Sequence, residues 1–351
     1  MNLIGLSREE LQHEIESLGE KPFRAKQLWH WIYWQGKTDF AEMTSLGKPL
    51  RQKLIDNGYS LHRPQVVREL TASDSTRKWL FRFDDGRDIE TVYIPEEDRG
   101  AVCISTQVGC PNGCKFCHTG SQKLTRNLTA GEIVAQFMAA RDSYGEWPSP
   151  SLEPRYLSNI VVMGMGEPLL NYENTKKALK IIMDPEGIAI SRRRITLSTS
   201  GVVPMIPKVA EDLDVKLAVS LHAPTNEIRD AIMPINRKYP LEELIPACKK
   251  FQEIAGTRHY ITMEYVMLDG INDSESDARE LMRVVKGLAV KFNLIPFNEW
   301  KGCPYKCSPM SRIVKFAKLL ESHNYAAPIR VSRGQEIMAA CGQLKSANAS
   351  A

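Results

Sequence analysis

Beyond residue 100 the sequence alternates between short apolar segments and amphipathic ones, and this alternation limits the possible folds more than any other feature. Segments rich in Val, Ile and Leu predict strands at 101–108, 158–163, 193–198, 214–220, 260–267 and 290–296. Segments with helical spacing predict helices at 129–143, 172–183, 202–211, 241–254, 274–287 and 309–322. This order is typical of a parallel sheet covered by helices. Six strands predict an α/β fold with a partial (β/α)6 barrel spanning 101–324.

The residues on either side of the predicted barrel show different patterns. Residues 1–62 predict a small helical accessory domain, because apolar residues recur at helical spacing and Ser7 followed by Glu10 forms a capping-box pattern. Residues 63–100 predict a β-hairpin extension, with two alternating stretches separated by the tight turn Asp84-Asp-Gly-Arg. The remaining residues, 325–351, form a C-terminal segment that ends in a small polar tail.

Composition bounds the class of protein without naming its function. The chain has 351 residues and 43% hydrophobic content, enough for one large core with or without a small domain. A formal charge of +4 permits a nucleic-acid partner but does not require one. No apolar run reaches the roughly 18 residues that span a bilayer, and the N-terminus lacks the features of a signal peptide. We therefore expect a cytoplasmic protein with no membrane partner, in which the eight cysteines serve as ligands, catalysts or buried thiols.

Three of these cysteines are clustered directly after the first barrel strand. Cys110, Cys114 and Cys117 have the spacing Cys-x3-Cys-x2-Cys. Three thiolates would leave one iron of a four-iron, four-sulfur cluster open to a small molecule. Structural zinc is the alternative, although zinc sites usually use two cysteine pairs and no second pair of that kind is evident. The spacing predicts an iron–sulfur cluster and keeps zinc as a competing interpretation.

Polar or glycine-rich residues follow the other predicted strands. Parallel sheets place their chemistry at the C-terminal ends of strands, so these residues are expected on the same rim as the three cysteines. Each has an ordinary alternative, as part of a tight turn, a helix N-cap or a satisfied structural histidine. The residues that follow these strands are Gly164-Met-Gly-Glu-Pro168, Ser198, Ser220-Leu-His222 and Phe297-Asn298.

Several longer motifs resemble those of the RlmN family, the dual-specificity RNA adenine-C2 methyltransferases of the radical S-adenosylmethionine (SAM) superfamily. They are Cys103-Ile-Ser-Thr-Gln-Val-Gly-Cys110, Arg126-Asn-Leu-Thr, Gly164-Met-Gly-Glu-Pro-Leu-Leu-Asn171, Leu197-Ser-Thr-Ser-Gly, Ser220-Leu-His-Ala-Pro, Met263-Glu-Tyr-Val-Met-Leu and Ala340-Cys341-Gly-Gln-Leu. The resemblance covers nearly the whole chain and is loosest in the N-terminal region. It implies that Cys110, Cys114 and Cys117 hold one [4Fe-4S] cluster. It also implies a SAM site lined by Gly166, Glu167, Ser198, Ser220, Leu221, His222 and Asn298.

The resemblance implies a reaction that uses two SAM molecules per turnover. One SAM methylates Cys341, and the second yields a 5′-deoxyadenosyl radical that takes a hydrogen from the new S-methyl group. The methylene radical then adds to carbon 2 of adenine, an electron-poor atom that does not attack an electrophilic methyl group. By the same resemblance Glu90 accepts the carbon-2 proton, although an acid on an alternating strand is usually solvated. Cys103 then attacks Cys341, releasing the product and forming a transient disulfide.

The implied partners are 23S ribosomal RNA, before or during ribosome assembly, transfer RNA and an electron-donating reductase. The residues themselves offer local basic positions for RNA at Lys115, Lys123, Arg126, Arg192-Arg-Arg194, Arg330 and Arg333. Cys248 is interpreted as a buried thiol, and Cys303 and Cys307 as incidental. Two alternative functions stay open: a methyltransferase of the same superfamily acting on adenine carbon 8 of ribosomal RNA, and a zinc-stabilised RNA-binding module without catalysis.

Overall fold

A computed structural model describes residues 1–97, 99–150, 155–256 and 260–345. Its centre is one nine-stranded sheet, in which three antiparallel strands precede six parallel ones. The antiparallel strands are β1 (Gln65–Thr71), β2 (Arg77–Arg82) and β3 (Asp88–Pro95). The parallel strands are β4 (Gly100–Cys103), β7 (Asn159–Val162), β8 (Ile195–Thr199), β9 (Lys216–Ser220), β10 (Ile261–Met267) and β11 (Val290–Pro296). These strands confirm the predicted α/β fold with six parallel strands.

Helices cover the parallel strands because the chain must cross over between neighbours that run in the same direction. They are α4 (Ala130–Tyr144), α5 (Tyr172–Met183), α6 (Ile206–Asp212), α7 (Asn226–Ile232), α8 (Leu241–Ala255), α9 (Glu275–Val284) and α10 (Met310–Glu321). Valine, isoleucine and leucine side chains of both layers form one continuous buried cluster. Within the described residues, no helix is both long and apolar enough to cross a membrane.

The N-terminal region is helical, as predicted, with α1 (Arg8–Ser17), α2 (Phe23–Trp29) and α3 (Lys48–Asp56). The capping box forms, since the Ser7 hydroxyl accepts from the Glu10 amide and the Glu10 carboxylate accepts from the Ser7 amide. Apolar and aromatic side chains of this region, Trp29 and Tyr33 among them, are buried in the same cluster as the barrel. Core packing therefore accounts for these two aromatic side chains.

The predicted strand 101–108 was wrong in its length. Strand β4 ends at Cys103, and residues 107–108 form β5 (Gln107–Val108), which pairs with β6 (Arg126–Asn127) in a separate two-stranded sheet. Between them Ser105 is bound on both backbone groups by Gln136, which accepts from the Ser105 amide at 2.8 Å and donates to its carbonyl at 2.9 Å. A side chain from α4 thus replaces the strand partner. Strand β1 and helix α7 were not predicted individually.

The N-terminal region and α4 meet where two glycine backbones are in contact. A Cβ atom added at Gly131 would lie 2.3 Å from the Ile4 carbonyl oxygen, and one added at Gly5 would lie 2.2 Å from the Gly131 Cα. Gly5 also has a φ of +96°, which disfavours any other residue. The close approach of the N-terminal region to the barrel therefore requires glycine at both positions.

We expect Gly131→Ala to lower the free energy of unfolding by about 1–3 kcal/mol, because the added methyl group must displace backbone atoms. This sign is opposite to that of helix propensity, which favours alanine over glycine in a helix interior by about 1 kcal/mol. Urea-induced unfolding followed by circular dichroism measures the change. Gly47→Ala is the control, since its Cβ would meet only Pro49 at 3.7 Å. A stabilised Gly131→Ala protein would contradict the expectation.

Candidate active site

A cavity of about 410 Å³ opens at the C-terminal ends of the parallel strands. Sequence reasoning placed the cysteine loop and the residues after the strands on this rim, and most of the candidate site residues line the cavity. Those that do are Cys103, Cys110, Cys114, Cys117, Gly166, Glu167, Ser198, Ser220, His222, Asn298 and Cys341. Leu221 and Glu90 are not among the lining residues. The fold therefore brings Cys341, which is distant in sequence, to the same cavity as Cys103, Cys110, Cys114 and Cys117.

The loop that carries Cys110, Cys114 and Cys117 is folded back on itself. The Cys110 amide donates to the Gln122 carbonyl at 3.3 Å, and the Cys117 amide donates to the Cys114 carbonyl at 3.1 Å. Gly120 allows this close approach, because a Cβ there would lie 2.6 Å from the Cys114 carbonyl oxygen. These contacts shape the loop whose three cysteines line the cavity.

The three thiols suit a multi-iron cluster better than a single metal ion. Burial raises the pKa of Cys110 to about 12, and it raises the pKa of Cys114 and Cys117 as well. A positively charged metal centre would stabilise the thiolates that burial disfavours. Among the described residues, no group of three His, Cys, Asp or Glu side chains is arranged to hold one metal ion. A four-iron cluster does not need that convergence, because each thiolate binds a different iron.

The glycines after β7 let two backbones approach closely and place a carboxylate at the cavity. A Cβ at Gly164 would lie 2.7 Å from the Ile104 carbonyl oxygen. The Glu167 carboxylate accepts from the Ser200 amide at 2.8 Å and from the Asn112 side chain at 3.3 Å. Glu167 thus joins the end of β8 to the cysteine loop. Asn112, in the cysteine motif, and Ser200, in Leu197-Ser-Thr-Ser-Gly, are cavity residues that sequence reasoning did not single out.

His222 lies at the end of β9 with a φ of +56°, an unusual backbone conformation for histidine. The amides of Leu221 and His222 both donate to the Glu264 carbonyl, at 3.1 and 3.2 Å. The Val266 amide donates to His222 Nδ1 at 3.0 Å, so the proton of the neutral ring is on Nε2. Burial, and then the charge of Arg229, lower the pKa of His222 to about 3. The ring is therefore a neutral donor facing the cavity.

Arg229, which sequence reasoning also missed, binds the backbone at the ends of β8 and β9. Its guanidinium is fully buried and donates to the carbonyls of Ser200 at 2.7 Å, Ser220 at 3.1 Å and Leu221 at 3.1 Å. It also donates to the Asn236 side chain at 2.8 Å. Burial lowers the pKa of Arg229 to about 10. No sequence pattern identified this residue, because its partners are backbone atoms from separate strands.

Cys103 and Cys341 are free thiols that both line the cavity, from the end of β4 and from the C-terminal segment. Burial raises the pKa of Cys103 to about 12, and the protein packed around Cys341 raises the pKa of that thiol to about 11. In both cases Arg330, which also lines the cavity, acts in the opposite direction. Arg330 is therefore placed to stabilise thiolates at this site.

Two buried carboxylates, Glu264 and Glu90, occupy different positions relative to the cavity. Glu264, on β10, is buried and lines the cavity, and its carboxylate accepts from Asn293 at 2.7 Å. Glu90, on β3, lies behind the cavity wall, where it pairs with Lys78 at 2.9 Å and accepts from the Lys345 amide at 2.8 Å. Burial raises the pKa of Glu90, against the effect of Lys78. The solvated position that the strand pattern left open for Glu90 is therefore wrong.

The remaining predicted residues are placed as follows. Arg126 pairs with Asp85 and Glu132, and Arg192 pairs with Asp214. Arg333 lines the cavity with Arg330, while Lys115 and Lys123 are exposed. Cys248 is buried in α8, as interpreted, and Cys303 and Cys307 are partly buried free thiols near the cysteine loop.

Comparison with known proteins identifies the family of this chain. Residues 1–58 match the ribosomal RNA large subunit methyltransferase N-terminal domain, and residues 104–282 match the radical SAM superfamily. The chain is 62% identical to the dual-specificity RNA methyltransferase RlmN of Rhodospirillum rubrum over 99% of its length and 80% of the relative's. The Gluconobacter oxydans RlmN is 61% identical, with 98% and 85% covered. A crystal structure of a radical SAM methyltransferase from Sphaerobacter thermophilus superposes with a TM-score of 0.91 at 45% identity, covering 98% of this chain and 99% of that one.

We expect Arg229→Met to lower the free energy of unfolding by about 2–4 kcal/mol, because it leaves three carbonyls at the ends of β8 and β9 without this donor. Urea-induced unfolding of anaerobically purified protein measures the shift. Arg237→Met is the matched control, since Arg237 is exposed and should change stability by less than about 0.5 kcal/mol. Equal effects of the two substitutions would contradict the structural role of Arg229.

Proposed function

The chain belongs to the RlmN family of dual-specificity RNA methyltransferases, and from this premise we propose that it methylates carbon 2 of adenine in 23S ribosomal RNA and in transfer RNA. It is a radical SAM enzyme, so its cofactors are a [4Fe-4S] cluster and SAM. One observation carries the finer proposal: Cys110, Cys114, Cys117, Cys103 and Cys341 line a single cavity. A methyl transfer relayed by a cysteine needs a cluster site and two further thiols.

The cluster and SAM, when bound, supply the carbon radical without which electron-poor carbon 2 would not react. We assign the cluster to Cys110, Cys114 and Cys117, which line the cavity and whose thiol pKa values are raised by burial. Gly166, Glu167, Ser198, Ser220, His222 and Asn298 would bind SAM beside it, with Leu221 contributing from behind the lining. Gly166 would let SAM approach the backbone closely. Its φ of +102° and its contact with Gln107 exclude a side chain at this position.

Cys341 would accept the methyl group on its sulfur after losing the thiol proton, a simple nucleophilic displacement. Its raised pKa makes the thiolate costly, and Arg330 is the cation placed to reduce that cost. After transfer of the carbon to adenine, the Cys103 thiolate would attack the Cys341 sulfur. The new S–S bond forms as the S–CH2 bond breaks, and the released carbon takes up a proton.

Glu90 remains the proposed acceptor of the carbon-2 proton. Its raised pKa suits a base, but both of its oxygens are engaged, with Lys78 and with the Lys345 amide. Leu344, next to Lys345, lines the cavity. The Glu90 carboxylate would therefore reach a bound nucleobase only after its hydrogen bond with the Lys345 amide breaks.

Arg330 and Arg333 line the cavity and support an RNA substrate, because arginine side chains can bind phosphate groups. The target adenine must be unstacked to reach residues inside the cavity. We further propose that the reaction takes place in the cytoplasm, on ribosomal RNA before or during ribosome assembly, and that a reductase supplies the electrons.

The relay predicts different products for the two cysteine variants. Cys103→Ala should accumulate a covalent protein–RNA adduct, because no thiol is left to release the carbon from Cys341. Cys341→Ala should form no adduct, because it cannot accept the methyl group. Denaturing electrophoresis and mass spectrometry of anaerobic reactions detect the adduct. Equal turnover by both variants would rule out the relay.

The regiochemistry predicts which modified nucleoside disappears when the gene is deleted. Nucleoside mass spectrometry of ribosomal and transfer RNA should show loss of 2-methyladenosine in the deletion strain and its return on complementation. Any 8-methyladenosine should be unchanged. Loss of the 8-methyl isomer instead would favour the carbon-8 enzyme, the one alternative that keeps the same fold and cysteines.

A further inference from the structure

The segment that carries Cys341 has little secondary structure of its own and depends on contacts with the rest of the protein. We call residues 334–345 the relay segment. Apart from one short 3-10 turn, Gln335–Ile337, it contains no helix or strand. Its position at the cavity must therefore be set by side chains and backbone groups outside it.

The two residues that follow the last cluster cysteine bind three consecutive carbonyls of the relay segment. The His118 amide donates to the Gly342 carbonyl at 2.7 Å, and the Thr119 hydroxyl donates to the Leu344 carbonyl at 2.6 Å. Between them, His118 Nδ1 lies 3.3 Å from the Gln343 carbonyl. These contacts begin at the residue directly after Cys341, so they fix the backbone next to the relay sulfur.

His118 and Thr119 are themselves fixed to the cysteine loop. The His118 ring stacks on Trp300 with centroids 4.5 Å apart and an angle of 11° between the planes. The Trp300 indole donates to the Phe116 carbonyl at 3.0 Å. Thr119 is 4% exposed and lies two residues after Cys117. One buried threonine hydroxyl thus joins the loop of the cluster ligands to the relay segment.

The parts of the relay segment farther from Cys341 are bound by the β-hairpin extension, residues 63–100. Asp74 accepts from the Gly334 amide at 3.0 Å, and Lys78 donates to the Met338 carbonyl at 3.1 Å. At the other end the Lys345 amide donates to Glu90 at 2.8 Å. Nearer the cysteine, residues after β11 add contacts: Asn298 donates to the Cys341 carbonyl at 3.2 Å, and the Gln343 side chain donates to the Glu299 carbonyl at 3.1 Å. The hairpin anchors the segment, but the cysteine loop binds the part next to Cys341.

We propose that His118 and Thr119 are positioning residues that hold the Cys341 thiol at the cavity and couple its position to the cluster loop. The path is short: Cys117 is bonded to His118, one hydrogen bond joins His118 to Gly342, and Gly342 is bonded to Cys341. Whatever fixes Cys117 also fixes the relay cysteine. An occupied cluster site therefore orders Cys341 for methylation. The inference rests on the relay role given to Cys341 above.

Thr119→Val tests the coupling, because valine keeps the shape of threonine but removes the hydroxyl donor. In cluster-loaded protein, hydrogen–deuterium exchange at the Gln343 and Lys345 amides should become about five- to tenfold faster, the population shift expected from losing one hydrogen bond. Thr119→Ser keeps the donor and should exchange like the wild type. Iron and sulfide content shows whether each variant carries the same cluster. Unchanged exchange in a cluster-loaded Thr119→Val protein would overturn the proposal.

A second measurement separates positioning from general destabilisation. In the absence of RNA, the rate of Cys341 methylation by SAM, followed by mass spectrometry, should fall about five- to tenfold in Thr119→Val. The dissociation constant of SAM should stay unchanged, and Thr119→Ser should restore the rate. A loss of SAM affinity by the same factor as the rate would overturn the positioning role.

If Thr119→Val fails to hold the cluster, His118→Phe replaces it. Phenylalanine keeps the stack on Trp300 and removes the ring nitrogen next to the Gln343 carbonyl, so relay-segment exchange should again rise. Cluster removal from the wild type by a chelator should have the same effect on exchange, and no change there would overturn the coupling. Hydrogen–deuterium exchange is measured without catalysis, so its outcome does not depend on the proposed function. The proposed function would be contradicted instead if wild-type Cys341 were never methylated.

Discussion

Buried side chains bind the backbone carbonyls at the C-terminal ends of the parallel strands, and the geometry of the cavity depends on these hydrogen bonds. A parallel strand that ends at a cavity leaves carbonyl groups without a strand partner, and such groups are costly to bury unpaired. Arg229 binds the chain at Ser200, Ser220 and Leu221. Asn272 binds the carbonyls of His222 and Val266, both at 2.7 Å. These hydrogen bonds join neighbouring strand ends at the rim of the cavity.

The same rim must also hold a segment that comes from the other end of the chain. Cys341 is more than 200 residues from the cysteine loop, and it reaches the cavity because the loop and the hairpin bind the relay segment from two sides. The hairpin therefore also binds the relay segment. Lys78 and Glu90 lie diagonally on neighbouring strands, where Leu80 pairs with Glu90 and Lys78 with Val92, and each contacts the relay segment.

Patterns with a fixed period predicted the elements well. Helix α5 has the predicted bounds, 172–183, and strand β11 the predicted 290–296, because each carries an unbroken apolar pattern. The strand at 101–108 failed because the side chain of Gln136, distant in sequence, binds Ser105 and ends the pairing. Helix α7 is only seven residues long, too short for its pattern to stand out from a loop.

The sequence by itself determined the types of element, their order and the chemistry available, because periodicity and cysteine spacing are local properties. It placed the three clustered cysteines after a strand, and topology rules then put the other strand ends on the same rim. Only the tertiary structure decided which groups meet there. It showed that Glu90 is buried behind the cavity wall, that Leu221 does not line the cavity, and that Arg229 supports the rim. Such contacts join backbone and side chains from distant segments, and no local pattern records them.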